Sequence, residues 1–275
     1  MHPPLLERAR SLHVLGVTLV LGSLLLSGGG CTSSDRGPSP FMPSDTITSA
    51  VDRDSALAVL TSMRRTAFDS AFARLSDYAV TRSVRTEQMT PTGTTTAVRS
   101  YEIQYQPGTE RGTIERRDSS GTFRDGGLFG RVAPETDPAA RPTNVAAQIF
   151  PDQPAYIEPR TREAFRYALR PGTVRDTPVY ILEATARGYG TGQDQGVRYA
   201  RLHLHRPSRQ LIALTLVRND QVLLFGEDSR MSLFLQRTAD DTWVPHTSRI
   251  RAVLHVPFRT PRRFRTVSSY TNYRR

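Results

Sequence analysis

The sequence predicts a mainly β protein: about ten antiparallel strands behind one amphipathic helix. Three observations carry that expectation. The apolar residues of 54–76 recur at three- and four-residue steps, a helical period. From Asp77 onward the period falls to two, as in half-buried strands. The gaps between strand-like runs are short and rich in Gly, Pro, Asn, Asp and Ser, which suits hairpins and is too short for parallel crossovers.

The helix is expected over about Asp54 to Ser76. Leu57, Leu60, Met63, Ala67, Phe68, Ala71, Phe72 and Leu75 form its stripe, and Asp52 or Asp54 can cap its first amides. Tyr78, Val80 and Val84 begin the first strand, closed by the turn Pro91-Thr92-Gly93. Ala97, Tyr101, Ile103 and Tyr105 share a face of the second, and weaker strands cover Arg111–Asp118 and Thr122–Arg124. Residues 131–162 then interrupt the rhythm with six prolines (134, 138, 142, 151, 154, 159), which exclude a long helix or a central strand. A short helix fits Thr143–Phe150, and an irregular segment of this length is often a lid or a functional loop.

The strand pattern resumes at Phe165, Tyr167 and Leu169. Val179–Glu183, apolar on both faces, is expected to be a central strand. Gly188–Gly196 reads as a hairpin tip. Strands are then expected at Val197–His205, Leu211–Val217, Gln221–Phe225, Met231–Arg237, His246–Val256 and Phe264–Tyr270. Asn219-Asp220, Glu227-Asp228-Ser229 and Ala239-Asp240-Asp241 serve as turns between them.

The N-terminus has a different character. Arg8 and Arg10 precede the apolar run Val14–Leu26, followed by Ser27, Gly28, Gly29 and Gly30, the three-part layout of a secretory signal over 1–30. Cys31 follows at once and is the only cysteine, so it has no disulfide partner in the chain. A cysteine at this place resembles a bacterial lipoprotein signal, which implies a diacylglycerol on Cys31. The alternative is an exported protein whose thiol merely lies near the cut. Residues 31–50, rich in Ser, Pro, Thr and Asp, read as a flexible tether with Phe41 and Met42 as its sizeable apolar groups. Without residues 1–30 the chain is about 245 residues, which suits one core, expected over 51–275.

The net charge is +11, and every one of the 37 basic residues is arginine. An export signal removes the chain from nucleic acid, and the absence of lysine with only three asparagines matches a GC-rich codon bias. The arginine surface is therefore either simply solvated or suited to anionic partners.

One helix, about ten antiparallel strands and a Pro-rich interruption over residues 50–272, with Trp243-Val244-Pro245 opening the penultimate strand and Pro207 turning within Leu202–Leu216, resembles the Lol-type lipoprotein carriers and outer-membrane lipoprotein receptors. The resemblance implies a curved, unclosed sheet, a half-barrel, whose concave side the helix covers. It further implies a bacterial envelope protein, in the periplasm at the outer membrane, that binds acyl chains or lipoproteins. Leu60, Met63, Phe68 and Phe72 would then cover a ligand cavity. The loop Gly126–Gly130 would present Leu128 and Phe129 to a membrane, or fold them back onto the core. The alternative is an envelope structural or interaction module with a self-filled core.

Nothing in the residue pattern points to an enzyme, a cofactor or a metal. His203 and His205 share a strand face with Arg201, which would repel a cation, so they are expected on a solvent face. His246 and His255 differ in facing. Gly188-Tyr189-Gly190-Thr191-Gly192 precedes a strand, so it lacks the helix N-terminus that a phosphate loop needs. No serine stands in a nucleophile elbow. A periplasmic hydrolase is the weakest of the three readings.

Overall fold

The computed structural model describes residues 39–45, 53–63, 70–123, 137–142, 154–188, 196–222 and 225–275. The expected signal, Cys31, Phe68, Leu128, Phe129, the helix over Thr143–Phe150 and most of the Gly188–Gly196 tip lie outside them.

Ten strands form one antiparallel sheet: β1 (Ala79–Met89), β2 (Thr95–Tyr105), β3 (Thr113–Ser120), β4 (Phe165–Val174), β5 (Thr177–Ala186), β6 (Val197–His205), β7 (Leu211–Val222), β8 (Phe225–Arg237), β9 (Trp243–His255) and β10 (Arg262–Arg274). Their order is β3-β2-β1-β10-β9-β8-β7-β6-β5-β4, so hairpins account for every neighbour except β1–β10. That one long-range pairing closes a meander across the chain ends, and the sheet stays open between β3 and β4. Both edges are guarded. β3 is exposed throughout and carries Arg116, Arg117 and Asp118, and β4 contains Pro171. Charge and proline on an edge discourage pairing with another chain.

Alternation sorts the residues into two faces. One row of the inner face runs laterally from Leu169 through Leu182, Leu202, Leu214 and Leu233 to Ser248, Ser268 and Val84. Its leucines are buried in the main core cluster with Val80, Ile103 and Tyr105.

The cover is assembled from short pieces. Helix α1 (Arg53–Thr61) buries Ala56 and Leu60, and Arg53 pairs with Glu163 at 2.5 Å beside β4. The expected continuous helix over 54–76 is not formed. The Thr61 hydroxyl donates back to Leu57 O (2.9 Å) and the Ser62 hydroxyl to Val59 O (2.8 Å), side-chain bonds that compete with the helical ladder. Helical backbone is found again at 70–73 and tightens into a 3₁₀ turn, Arg74–Asp77, that buries Leu75.

The Pro-rich segment supplies the rest. Ala139–Arg141 bonds to the start of β3 through Gly112 N to Ala139 O (2.9 Å) and Arg141 N to Glu110 O (2.8 Å). The buried Arg141 guanidinium donates to Thr109 O and Gln106 O, each at 2.7 Å, and to Leu75 O, so one side chain pins the 3₁₀ turn to the β2–β3 connection. Tyr156 lies in the core, edge-on to Phe165, and the Tyr167 hydroxyl donates to Tyr156 O at 2.7 Å.

Three strand expectations are corrected. Val179–Glu183 lies in β5, one place from the edge; it is buried on both faces because side chains of the outer face also pack there, as in the small cluster of Val179, Ile181 and Ile212. Asn219-Asp220 and Glu227-Asp228-Ser229 are no turns. They pair with one another inside β7 and β8, where side-chain partners compensate for the buried charge. Thr122 and Phe123 carry no strand.

Candidate functional site

Leu60 (1% exposed) and Phe72 (2%) are both packed in the main cluster, with Met63 partly buried against it. They meet there Leu182, Leu202, Leu214, Leu216 and Leu233, an apolar field spread over four adjoining strands. Among the described residues the field is covered by α1, the turn at 74–77 and the stretch around Tyr156.

Polar groups take over the same face towards β1 and β10. Arg82, 2% exposed, donates to Ser268 Oγ at 3.3 Å and lies over the Tyr270 ring. Thr86 and Thr266 hydroxyls face each other at 3.2 Å.

The outer face is where buried carboxylates meet arginines. Glu87 accepts from Arg85 Nε and Arg265 Nε, each at 2.7 Å. Burial pushes its carboxyl up, but the two arginines outweigh that and hold it below the usual range. Glu183 accepts from the Tyr199 hydroxyl and Arg201 Nε, again at 2.7 Å each. Burial and the Glu183 carboxylate push the Tyr199 phenol far up, so it stays a donor.

His203 and His205 do not lie on an open solvent face. Both are half-buried, because the outer face itself is partly packed. Burial, reinforced by Arg201 and Arg170, pushes His203 down to about 4, so it is neutral at ordinary pH. His205 Nδ1 meets Ser208 Oγ at 2.7 Å, and its ring lies 6.2 Å from Trp243. His255 stands apart from His246 and contacts Asp228 at 3.2 Å; Asp228 also accepts from Asn219 Nδ2 at 2.9 Å. Sequence reasoning treated these acids as turn residues, and only their pairing across strands reveals the cluster. Among the described residues no group of three or more His, Cys, Asp or Glu is placed to hold a metal ion.

Residues 39–45, read from sequence as tether, lie against the sheet. Ser39 is buried, and Asp45 receives Arg201 Nη1 at 3.2 Å while its carbonyl receives Nη2 at 2.9 Å. Pro40 and Phe41 border a hollow of about 360 Å³ with Arg251 and Arg263. A neighbouring groove of about 320 Å³ is lined by Arg201, Thr215, Arg230, Ser232, Arg249 and Arg251.

No family model matches the chain, and no curated protein matches it. Solved structures similar to it include the following three. One is a putative outer membrane lipoprotein-sorting protein domain from Vibrio parahaemolyticus, at 11% identity over 81% of this chain and 93% of that one, with a TM-score of 0.32. Another is a DUF1329 family protein from Desulfovibrio piger, at 11% identity over 80% and 92%, TM-score 0.31. The third is a LolA superfamily protein from Nitrosomonas europaea, at 11% identity over 82% and 94%, TM-score 0.24. At that identity and superposition they carry no weight for function.

Proposed function

We propose that the protein is a non-catalytic, lipid-anchored protein of the bacterial envelope that binds acyl chains or lipoproteins on its inner face. Residues 1–30 act as its signal, Cys31 carries the acyl anchor, and Leu128 and Phe129 contact the membrane. The observation that carries the reading is the leucine field of β5–β8, covered among the described residues by a nine-residue helix and short turns. A cover built this way can be displaced piece by piece, and each methylene that takes its place gains roughly 0.8 kcal/mol.

The tight seating of Leu60, Phe72 and Tyr156 favours a second reading, an interaction module whose core is filled by its own side chains. Native mass spectrometry of protein purified from the envelope fraction, with titration of a fluorescent fatty acid at low and high salt, separates the two. Co-purified lipid and probe binding that persists at high salt support acyl binding in an apolar site. No binding, or binding that disappears as salt screens the +11 surface, leaves the interaction module.

A further inference from the structure

The outer face pairs the buried Glu87 and Glu183 with arginines but leaves other arginines over. Arg230 on β8 stands directly opposite Arg251 on β9, and Arg249 stands opposite Ser232. Among the described residues none of the three forms an ion pair, whereas Arg201 has Glu183 and Asp45, and Arg265 has Glu87. Like charges opposite each other across a ladder repel. The arrangement costs stability, offset only in part by the Asp45 carboxylate, which Arg230 helps to hold low.

The three arginines border the 320 Å³ groove, where Thr215 and Ser232 hydroxyls meet at 3.1 Å. Arg249 and Arg251 are exposed, so their guanidinium groups are free to meet a partner from solvent. A guanidinium presents a planar fork that matches phosphate oxygens two at a time.

The second observation is where the chain enters the fold. The 39–45 strap lies on this same face, held by Arg201 at one end and bordering the hollow of Arg251 and Arg263 at the other. Cys31 lies only eight residues before Ser39 in sequence. An acyl anchor there would tether the domain by its arginine face.

We propose that the outer face of β8–β10 docks on an anionic membrane surface, with Arg230, Arg249 and Arg251 meeting the phosphates of its lipid headgroups. The proposal rests on the envelope reading for the membrane, and needs nothing from the acyl site. Charge complementarity selects the lipid surface: the arginines are spread along a sheet face with shallow hollows, a shape for many headgroups rather than one enclosed ion.

The test is co-sedimentation of the full chain with vesicles of phosphatidylcholine alone and vesicles containing about one third phosphatidylglycerol. The ratio of the two partition coefficients is the readout, because the apolar Val14–Leu26 segment can bind either vesicle. Each arginine held near an anionic surface strengthens binding about fivefold. The protein should therefore prefer the anionic vesicles by tenfold or more at low salt, and R249A/R251A should lose most of that preference. R74A/R274A removes the same charge from exposed sites elsewhere and should keep it. Relief of the Arg230–Arg251 repulsion should leave the melting temperature of R249A/R251A unchanged or higher, and its fatty-acid binding unaltered, which keeps this test separate from the acyl reading. Equal partitioning of the unaltered protein overturns the proposal. So does an equal loss in both double variants, which would mean that only the total charge matters.

Discussion

Glu183 and Arg201 lie side by side on β5 and β6, their Oε1 and Nη2 atoms 2.7 Å apart, with the Glu183 side chain 2% exposed and that of Arg201 19%. The same carboxylate accepts from Tyr199, and the same guanidinium reaches Asp45 of the N-terminal strap. A single pair therefore ties the sheet to the segment that leads back towards Cys31.

Removing the acid should expose how much that pair holds. Glu183→Ala leaves the half-buried Arg201 with the exposed Asp45 as its acid and the neutral Tyr199 hydroxyl at 2.7 Å, and leaves that hydroxyl without its acceptor. The expected loss is about 2–3 kcal/mol, near the lower end for a broken buried pair. Urea unfolding checks it, and Asp45→Ala, on the exposed side, should cost well under 1 kcal/mol.

Acid should weaken the fold through His203. Its folded pKa of about 4 lies below the ordinary value of 6.5, so the unfolded chain binds the extra proton first. The stability is fully present above pH 6.5 and declines as pH falls from there through 4, by at most about 3 kcal/mol. His205 and His246, also lowered by burial, add to the same slope. In unfolding curves at pH 7.5 and 4.5, His203→Gln should flatten much of the difference; an unchanged slope would place the titration elsewhere.

The α1 cover should be structural. Leu60→Ala removes a side chain that is 1% exposed among the core leucines, and should destabilise by about 2–4 kcal/mol. Thr61→Ala, exposed and bonded only to the carbonyls of Leu57 and Ala58, should be neutral or slightly stabilising because it removes the competing bonds at the helix end. Thermal melts of the two variants provide the comparison.

Cys31→Ser should accumulate as an unprocessed precursor, detected by its mass in whole-cell extracts. Normal maturation of the variant with membrane retention would mean that the thiol carries no anchor.

Local patterning was legible where each strand buries one face. The alternation of Ala97, Tyr101, Ile103 and Tyr105 located β2, and the Val197–His205 run matches β6 at both ends. Trp243 opens β9 as expected. Periodicity is a property of neighbours two residues apart, and it survives without knowledge of any partner. The helix was read too long for the same reason: the stripe continues past Thr61, but a stripe does not report that two hydroxyls bond back onto the backbone.

The sequence by itself therefore determined a helix-then-strands order, the antiparallel hairpins and the apolar content of the inner face. Tertiary structure decided what the charges do. Glu227 and Asp228 look like a turn in sequence, yet they are buried in β8, where Asp228 meets His255 from 27 residues away. Glu87 finds Arg265 across 178 residues, through the β1–β10 pairing that no local pattern announces. A buried carboxylate is tolerable only beside a partner that compensates for its lost hydration. That partner is chosen by strand order and register, which only the closing of the sheet fixes.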